Sequence, residues 1–108
     1  MPPVPSDGVG LCEELSEVYK NLREGDELKR MIDEMSDILM ENWMSGNKIQ
    51  KNRIPKYYMT KHDVKNLYRY QLRGGFRGIY TILVEGDQTF SWILDVLDHG
   101  EYERRFGY

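Results

Sequence analysis

The chain has 108 residues, 40% hydrophobic and 31% charged, which suits one globular domain with a modest core. No apolar run approaches the roughly 18 residues of a membrane span. The opening Met-Pro-Pro-Val-Pro is not a signal peptide, and the lone Cys12 excludes a disulfide framework and a cysteine-rich zinc site, so the expected setting is the reducing cytoplasm. Net charge is −3, but it divides into −7 over residues 1–46, +8 over 47–82 and −4 over 83–108. A basic block interleaved with Tyr is the footprint of a polyanion-binding surface, or of a solvated face turned towards the chain's own acidic helices.

Residues 1–10 carry three Pro and two Gly and are expected to form a flexible tail, with a single domain over 11–108. From Leu11 the pattern turns helical, with Leu11, Leu15, Val18 and Leu22 on one face. Gly25 interrupts it and Asp26 is placed to cap a second helix. There Leu28, Met31, Ile32, Met35, Ile38, Leu39 and Trp43 form one apolar stripe, ended by Gly46 or Asn47. Residues 47–65 are basic and irregular, with a short strand possible near Lys56–Met59. Three strands follow, over about 67–72, 76–84 and 89–97, separated by Arg73-Gly74-Gly75 and Glu85-Gly86-Asp87. Asp98 and Glu101 then stand at capping-box spacing for a last helical turn.

Alternation assigns the faces. Tyr68, Tyr70 and Leu72, then Phe76, Tyr80, Ile82 and Val84, then Phe90, Trp92, Leu94 and Val96 are expected against the helices. Bringing these sets together takes about three residues in each hairpin loop. The same choice gathers Arg69, Gln71 and Arg77 on the opposite face, with Gln71 opposite Arg77. The expected fold is therefore α+β: an N-terminal helical hairpin packed on a small twisted antiparallel sheet of three or four strands, with a short C-terminal helical turn.

No phosphate-binding Gly-rich motif, zinc pattern or Ser-His-Asp arrangement is evident. What remains is cationic and aromatic: Arg69, Arg77, His99 and Tyr102, with Gln71 beside them. RNA is cleaved when its 2′-hydroxyl attacks the adjacent phosphate in line. An Arg fork stabilises the phosphoryl charge, a His near neutral pKa supplies a proton to the leaving oxygen, and aromatic rings stack unpaired bases. The plainer alternatives are that Arg77 pairs with Asp95, that His99 packs at a helix start and that Tyr102 closes the core with Phe106.

The stretch Asn66-Leu-Tyr-Arg-Tyr-Gln-Leu-Arg-Gly-Gly-Phe-Arg-Gly-Ile-Tyr-Thr-Ile resembles the central hairpin of the RelE/ParE toxin superfamily, which carries a strand-opening Arg followed by an apolar-Tyr pair, here Arg77 with Ile79-Tyr80. The ending from Ile93 to Tyr108 resembles that superfamily's final strand and tail, including its short archaeal members. The His99–Tyr102 pair is similar to the YoeB branch. The resemblance covers residues 11–108 and is specific over 66–108. It implies a ribosome-dependent messenger-RNA endonuclease acting without metal or cofactor, neutralised by an antitoxin. It also implies a strand before the first helix, for which the Pro-rich start offers no good segment.

By position, the resemblance implies that Arg77 stabilises the phosphoryl charge, His99 is the general acid and Tyr102 stacks on or orients substrate. Arg69 and Gln71 fall where the family places two basic residues. Gln71 and Arg73, with Lys48, Lys51 and Arg53 of the basic block, are the candidate RNA-contacting residues. The expected partners are messenger RNA, the ribosome and an acidic antitoxin whose binding weakens with salt, with a homo-oligomer possible and no membrane. The rivals are a non-catalytic RNA- or ribosome-binding protein on the same fold and a ParE-like gyrase inhibitor.

Overall fold

The computed structural model describes residues 2–107. In chain order it contains β1 (Gly8–Leu11), α1 (Glu13–Lys20), α2 (Glu27–Glu41), β2 (Asn47–Lys48), α3 (Lys56–His62), β3 (Tyr68–Gln71), β4 (Arg77–Glu85), β5 (Gln88–Leu97) and α4 (His99–Phe106). The strands form one five-stranded sheet in the order β1-β5-β4-β3-β2. β1 runs parallel to β5 and the other pairs are antiparallel, so the sheet is mixed.

This corrects the expected fold in two respects. The chain opens on a strand rather than on a helical hairpin, and the sheet is neither purely antiparallel nor limited to four strands. The segment read as a flexible tail is bonded into the fold. The Val4 N–H donates to Asn42 Oδ1 at 3.0 Å, and the Ser6 hydroxyl donates to the Leu39 carbonyl at 2.8 Å. Gly8 and Gly10 explain why this strand hides in the sequence. A Cβ on Gly8 would lie 3.1 Å from the Phe90 ring, and one on Gly10 would run into Trp92. Two aromatic rings of β5 thus lie over a strand that has no side chains there.

The second helix follows its pattern. The Asp26 side chain accepts from the Leu28 N–H at 2.8 Å, and Met31, Ile32, Met35 and Leu39 are buried. It ends at Glu41, earlier than expected, because Asn42 turns its side chain onto the Val4 and Met44 N–H groups. α1 is less deeply set: Leu15 is buried, but Val18 is exposed and Leu11 belongs to β1. Gly78 admits α2 to the sheet, since a Cβ there would collide with Met35. The segment read as a strand near Lys56–Met59 is helix α3, which places Tyr58 wholly in the interior.

The first hairpin has the expected geometry. Gln71 pairs with Arg77, and the Leu72 N–H donates to the Phe76 carbonyl at 2.9 Å, enclosing Arg73-Gly74-Gly75. Gly74 and Gly75 lie at φ 67° and 79°, a region that side-chain-bearing residues avoid. The second hairpin is tighter: Glu85 pairs with Gln88 around a two-residue turn, Gly86-Asp87.

That one-residue difference exchanges the faces of β5. Ser91 and Ile93 join Tyr80 and Ile82 towards α2, while Trp92 is 37% exposed on the other side. A bulge near Ile79–Tyr80 then restores the expected face for Val96, opposite Gly78. The second face is not open either. α3 and α4 cover part of it through Tyr58, Tyr102 and Phe106, above Ile79, Leu94 and Leu97.

Candidate nucleic-acid interface

Register builds the site. Arg69 on β3 pairs with Ile79 on β4 and thus with Asp95 on β5, one row across the sheet; Gln71, Arg77 and Leu97 form the next. Arg69 and Arg77 therefore rise two residues apart on one face, as the alternation predicts. Helix α4 brings Tyr102 between them. Its ring lies 5.6 Å from the Arg69 guanidinium carbon and 5.2 Å from that of Arg77, and Arg69 donates to its hydroxyl at 2.9 Å. The helix that delivers Tyr102 carries the expected capping box: Asp98 accepts from the Glu101 N–H and Glu101 from the Asp98 N–H, at 2.8 and 2.9 Å.

Tyr102 is both core residue and site residue. Its ring is 3% exposed and stacks on Phe106 at 4.4 Å, as the plainer alternative has it, while its hydroxyl meets Arg69. Arg77 does not pair with Asp95. That carboxylate accepts from Arg105 at 3.0 Å and from the Tyr58 hydroxyl at 2.9 Å, and burial pushes the Tyr58 phenol far above its usual value. With Asp95 engaged elsewhere, the charge on Arg69 and Arg77 stays uncompensated within the sheet. Arg77 donates to the Gly75 carbonyl, and its Nε is buried with no hydrogen-bond partner among the described residues.

Beside Arg69 and Tyr102 opens a cleft of about 280 Å³, lined also by Asn47, Lys48, Gln50 and Arg53. Among the described residues no carboxylate lines it. The ion pairs among the described residues engage Lys20, Lys29, Lys61, Arg73 and Arg105. Of the ten that enter none of them, Lys48, Lys51, Arg53, Lys65, Arg69 and Arg77 lie around this cleft and the strands beside it, while Arg23, Arg30, Lys56 and Arg104 lie elsewhere. The basic middle segment thus divides: Lys61 and Arg73 face the acidic helices through Glu14, Glu27 and Glu34, and six of its other cations collect around the cleft.

The remaining expected residues divide. Gln71 is exposed beside Arg77, and Lys51 lines an adjoining cleft. Arg73 turns to α2 and holds Glu27 and Glu34 at 2.5 and 2.9 Å, away from the cleft. His99 begins α4 near Gly75, but its Nε2 lies 2.7 Å from Glu103, and its side chain is 63% exposed. Sequence reasoning missed Asn47, Gln50 and Lys65 as lining residues, although all three fall in or beside the basic irregular stretch. It also missed the Tyr58–Asp95–Arg105 lock, which joins positions 37 and 10 residues apart. Among the described residues no helix is long and apolar enough to cross a membrane.

Comparison with known protein families, with curated proteins and with solved structures found no match.

Proposed function

We propose that this chain is a RelE-like toxin of a toxin–antitoxin pair: a cytoplasmic, ribosome-dependent endoribonuclease that cuts messenger RNA and is held in check by an acidic antitoxin. The observation that carries the reading is the pair of guanidinium groups on Tyr102, one of which, Arg69, lines with it a cationic cleft that holds no carboxylate among the described residues. Such a cleft attracts a phosphodiester chain, and by the same fixed charge the acidic antitoxin that would cover it, while it repels basic segments. In the reaction, the 2′-hydroxyl attacks the adjacent phosphorus and gives up its proton to solvent, and the bond to the 5′-oxygen breaks, leaving a 2′,3′-cyclic phosphate and a 5′-hydroxyl. Arg77, held by Gly75 and Tyr102, offers N–H donors to the phosphoryl oxygens as charge gathers on them. Lys48, Arg53 and Arg69 hold the flanking strand. His99 supplies the proton to the leaving oxygen after exchanging its contact with Glu103 for the substrate.

A second reading, binding of RNA or the ribosome without cleavage, is favoured by one observation: His99 is paired with Glu103 and turned to solvent. Mapping of messenger 3′ ends on translating ribosomes separates the two. The enzyme reading expects new ends within the decoding site when the protein is added. Ribosome binding with intact message would sink it and leave the second reading in place.

A further inference from the structure

Around the corner from the Arg69–Tyr102 cleft lies a second one, of about 400 Å³, and the two share Lys48, Ile49 and Gln50 as a common wall. The second is lined in addition by Lys51, Ile54, Lys65 and Asn66. We propose that this cleft is a flanking nucleotide subsite for single-stranded RNA, so that the bound strand continues from Arg69 and Tyr102 across the edge strand β2 to Lys51 and Lys65. The inference rests on the RNA reading above and adds the path of the strand.

Three features carry it. The first is charge. Lys48, Lys51 and Lys65 converge on the cleft, and among the described residues none of the three enters an ion pair and no carboxylate lines it. Three like charges brought together without a counterion repel one another, and a phosphate between them relieves that repulsion. The second is the floor. Ile54 is buried and Ile49 half-buried, giving an aliphatic surface on which the face of a base can lie.

The third is rigidity. Asn66 is occupied in the fold, its Nδ2 donating to the Ile82 carbonyl at 2.9 Å and its Oδ1 accepting from the Ile82 N–H at 2.8 Å. The Ile49 N–H donates to the Leu67 carbonyl at 2.9 Å. The walls are thus fixed by the sheet, while the lysines remain exposed and available. With no aromatic ring in the lining and Asn66 committed, the subsite reads phosphate charge and tolerates any base. Phosphate contact through lysine, which acts as a point charge, suits that role better than a directional fork would.

The test compares the full chain with the Lys51→Ala/Lys65→Ala double variant and with Arg69→Ala, titrated with oligouridylates of two and of six nucleotides. Both lysines are exposed, so the double variant keeps its fold, which a thermal melt verifies. The hexamer is expected to bind the double variant about tenfold more weakly, with the salt slope reduced by about 1.4, the value for two lost single-strand phosphate contacts. The dimer, held at Arg69, should bind both alike, and Arg69→Ala should weaken both oligomers. If the double variant binds the hexamer as wild type does while Arg69→Ala does not, the flanking subsite is wrong and the RNA reading stands. If wild type binds neither oligomer, both fail. If poly-glutamate binds wild type as tightly as the hexamer and loses the same affinity in the double variant, the cleft belongs to an acidic protein segment and the proposal is overturned.

Discussion

Arg69 on the central sheet donates to the Tyr102 hydroxyl on the last helix at 2.9 Å, and both side chains line the same cleft. Helix α4 is thereby tied to β3 by a residue that also faces the candidate substrate path. Cleft geometry and the docking of α4 are coupled through one hydrogen bond, as neighbours in a shared polar network are.

Replacing Arg77 with Ala is expected to lower cleavage on programmed ribosomes by about 100- to 1,000-fold, the usual cost of losing a preorganised donor to a developing oxyanion. Arg77→Lys should recover only part, because an ammonium lacks the planar fork. Arg77 is half-buried against Tyr102 and carries one unpartnered buried nitrogen, so its removal should shift stability by no more than about 1 kcal/mol. Rates and thermal melts on the three proteins check this. An Ala variant that cleaves at the wild-type rate removes Arg77 from the mechanism, and one that unfolds makes it structural.

Tyr102 should divide cleanly between its ring and its hydroxyl. Tyr102→Phe keeps the stack on Phe106 and loses the acceptor for Arg69, at a cost of about 1 kcal/mol. Tyr102→Ala removes a buried ring and should cost about 3–5 kcal/mol. At about 4–8 °C per kcal/mol for a domain of this size, the two melts are easily told apart. Equal melting temperatures for the two variants would show that the ring does not hold α4 to the sheet.

Alkaline stability should depend on Tyr80. Burial raises its phenol from 10 to about 12, where it donates to the Trp43 carbonyl at 2.7 Å and accepts from the Gly46 N–H at 2.9 Å. A raised folded-state value favours the protonated phenol in the native chain. Its contribution is therefore complete below pH 10 and is lost as pH rises from 10 through 12, amounting to roughly 2–3 kcal/mol. Tyr58 and Tyr68, raised by burial as well, decline over the alkaline range too. The readout is the difference between wild type and Tyr80→Phe in denaturant melts at successive pH. The gap should be largest near neutrality and shrink above pH 10; a constant gap would count against the assignment.

The second helix, the three later strands and the α4 capping box are legible in the sequence because each depends on local periodicity or a fixed short spacing. The row that brings Arg69, Gln71 and Arg77 to one face is legible for the same reason, since a Gly-Gly turn of three residues sets the register. What escapes has a longer reach. β1 is placed by distant partners, its pairing with residues 90–93 and the rings of Phe90 and Trp92 that need Gly8 and Gly10 beneath them, and nothing around those glycines announces it. The face of β5 turned on whether Glu85-Gly86-Asp87-Gln88 closes with two residues or three, a choice that composition leaves open. His99 and Tyr102 sit at helical spacing, but only packing decides that Tyr102 turns inward to the two arginines while His99 turns outward to Glu103.

The parallel pairing of β1 with β5 bears on the order in which the molecule can be assembled. The Ser6 and Ser91 hydroxyls that seal this end of the sheet lie 2.7 Å apart but 85 positions apart in sequence. Contacts of such separation slow folding, because the closure entropy is spent before any of them forms. During synthesis β1 emerges long before its receiving strand, and until residues 90–93 exist it has no edge to join. The sheet therefore closes late, after the hairpin that carries Arg69 and Arg77 has been made. A nascent chain stopped short of β5 holds its arginines without the helix that supplies Tyr102, and so has the charge of the cleft without its shape.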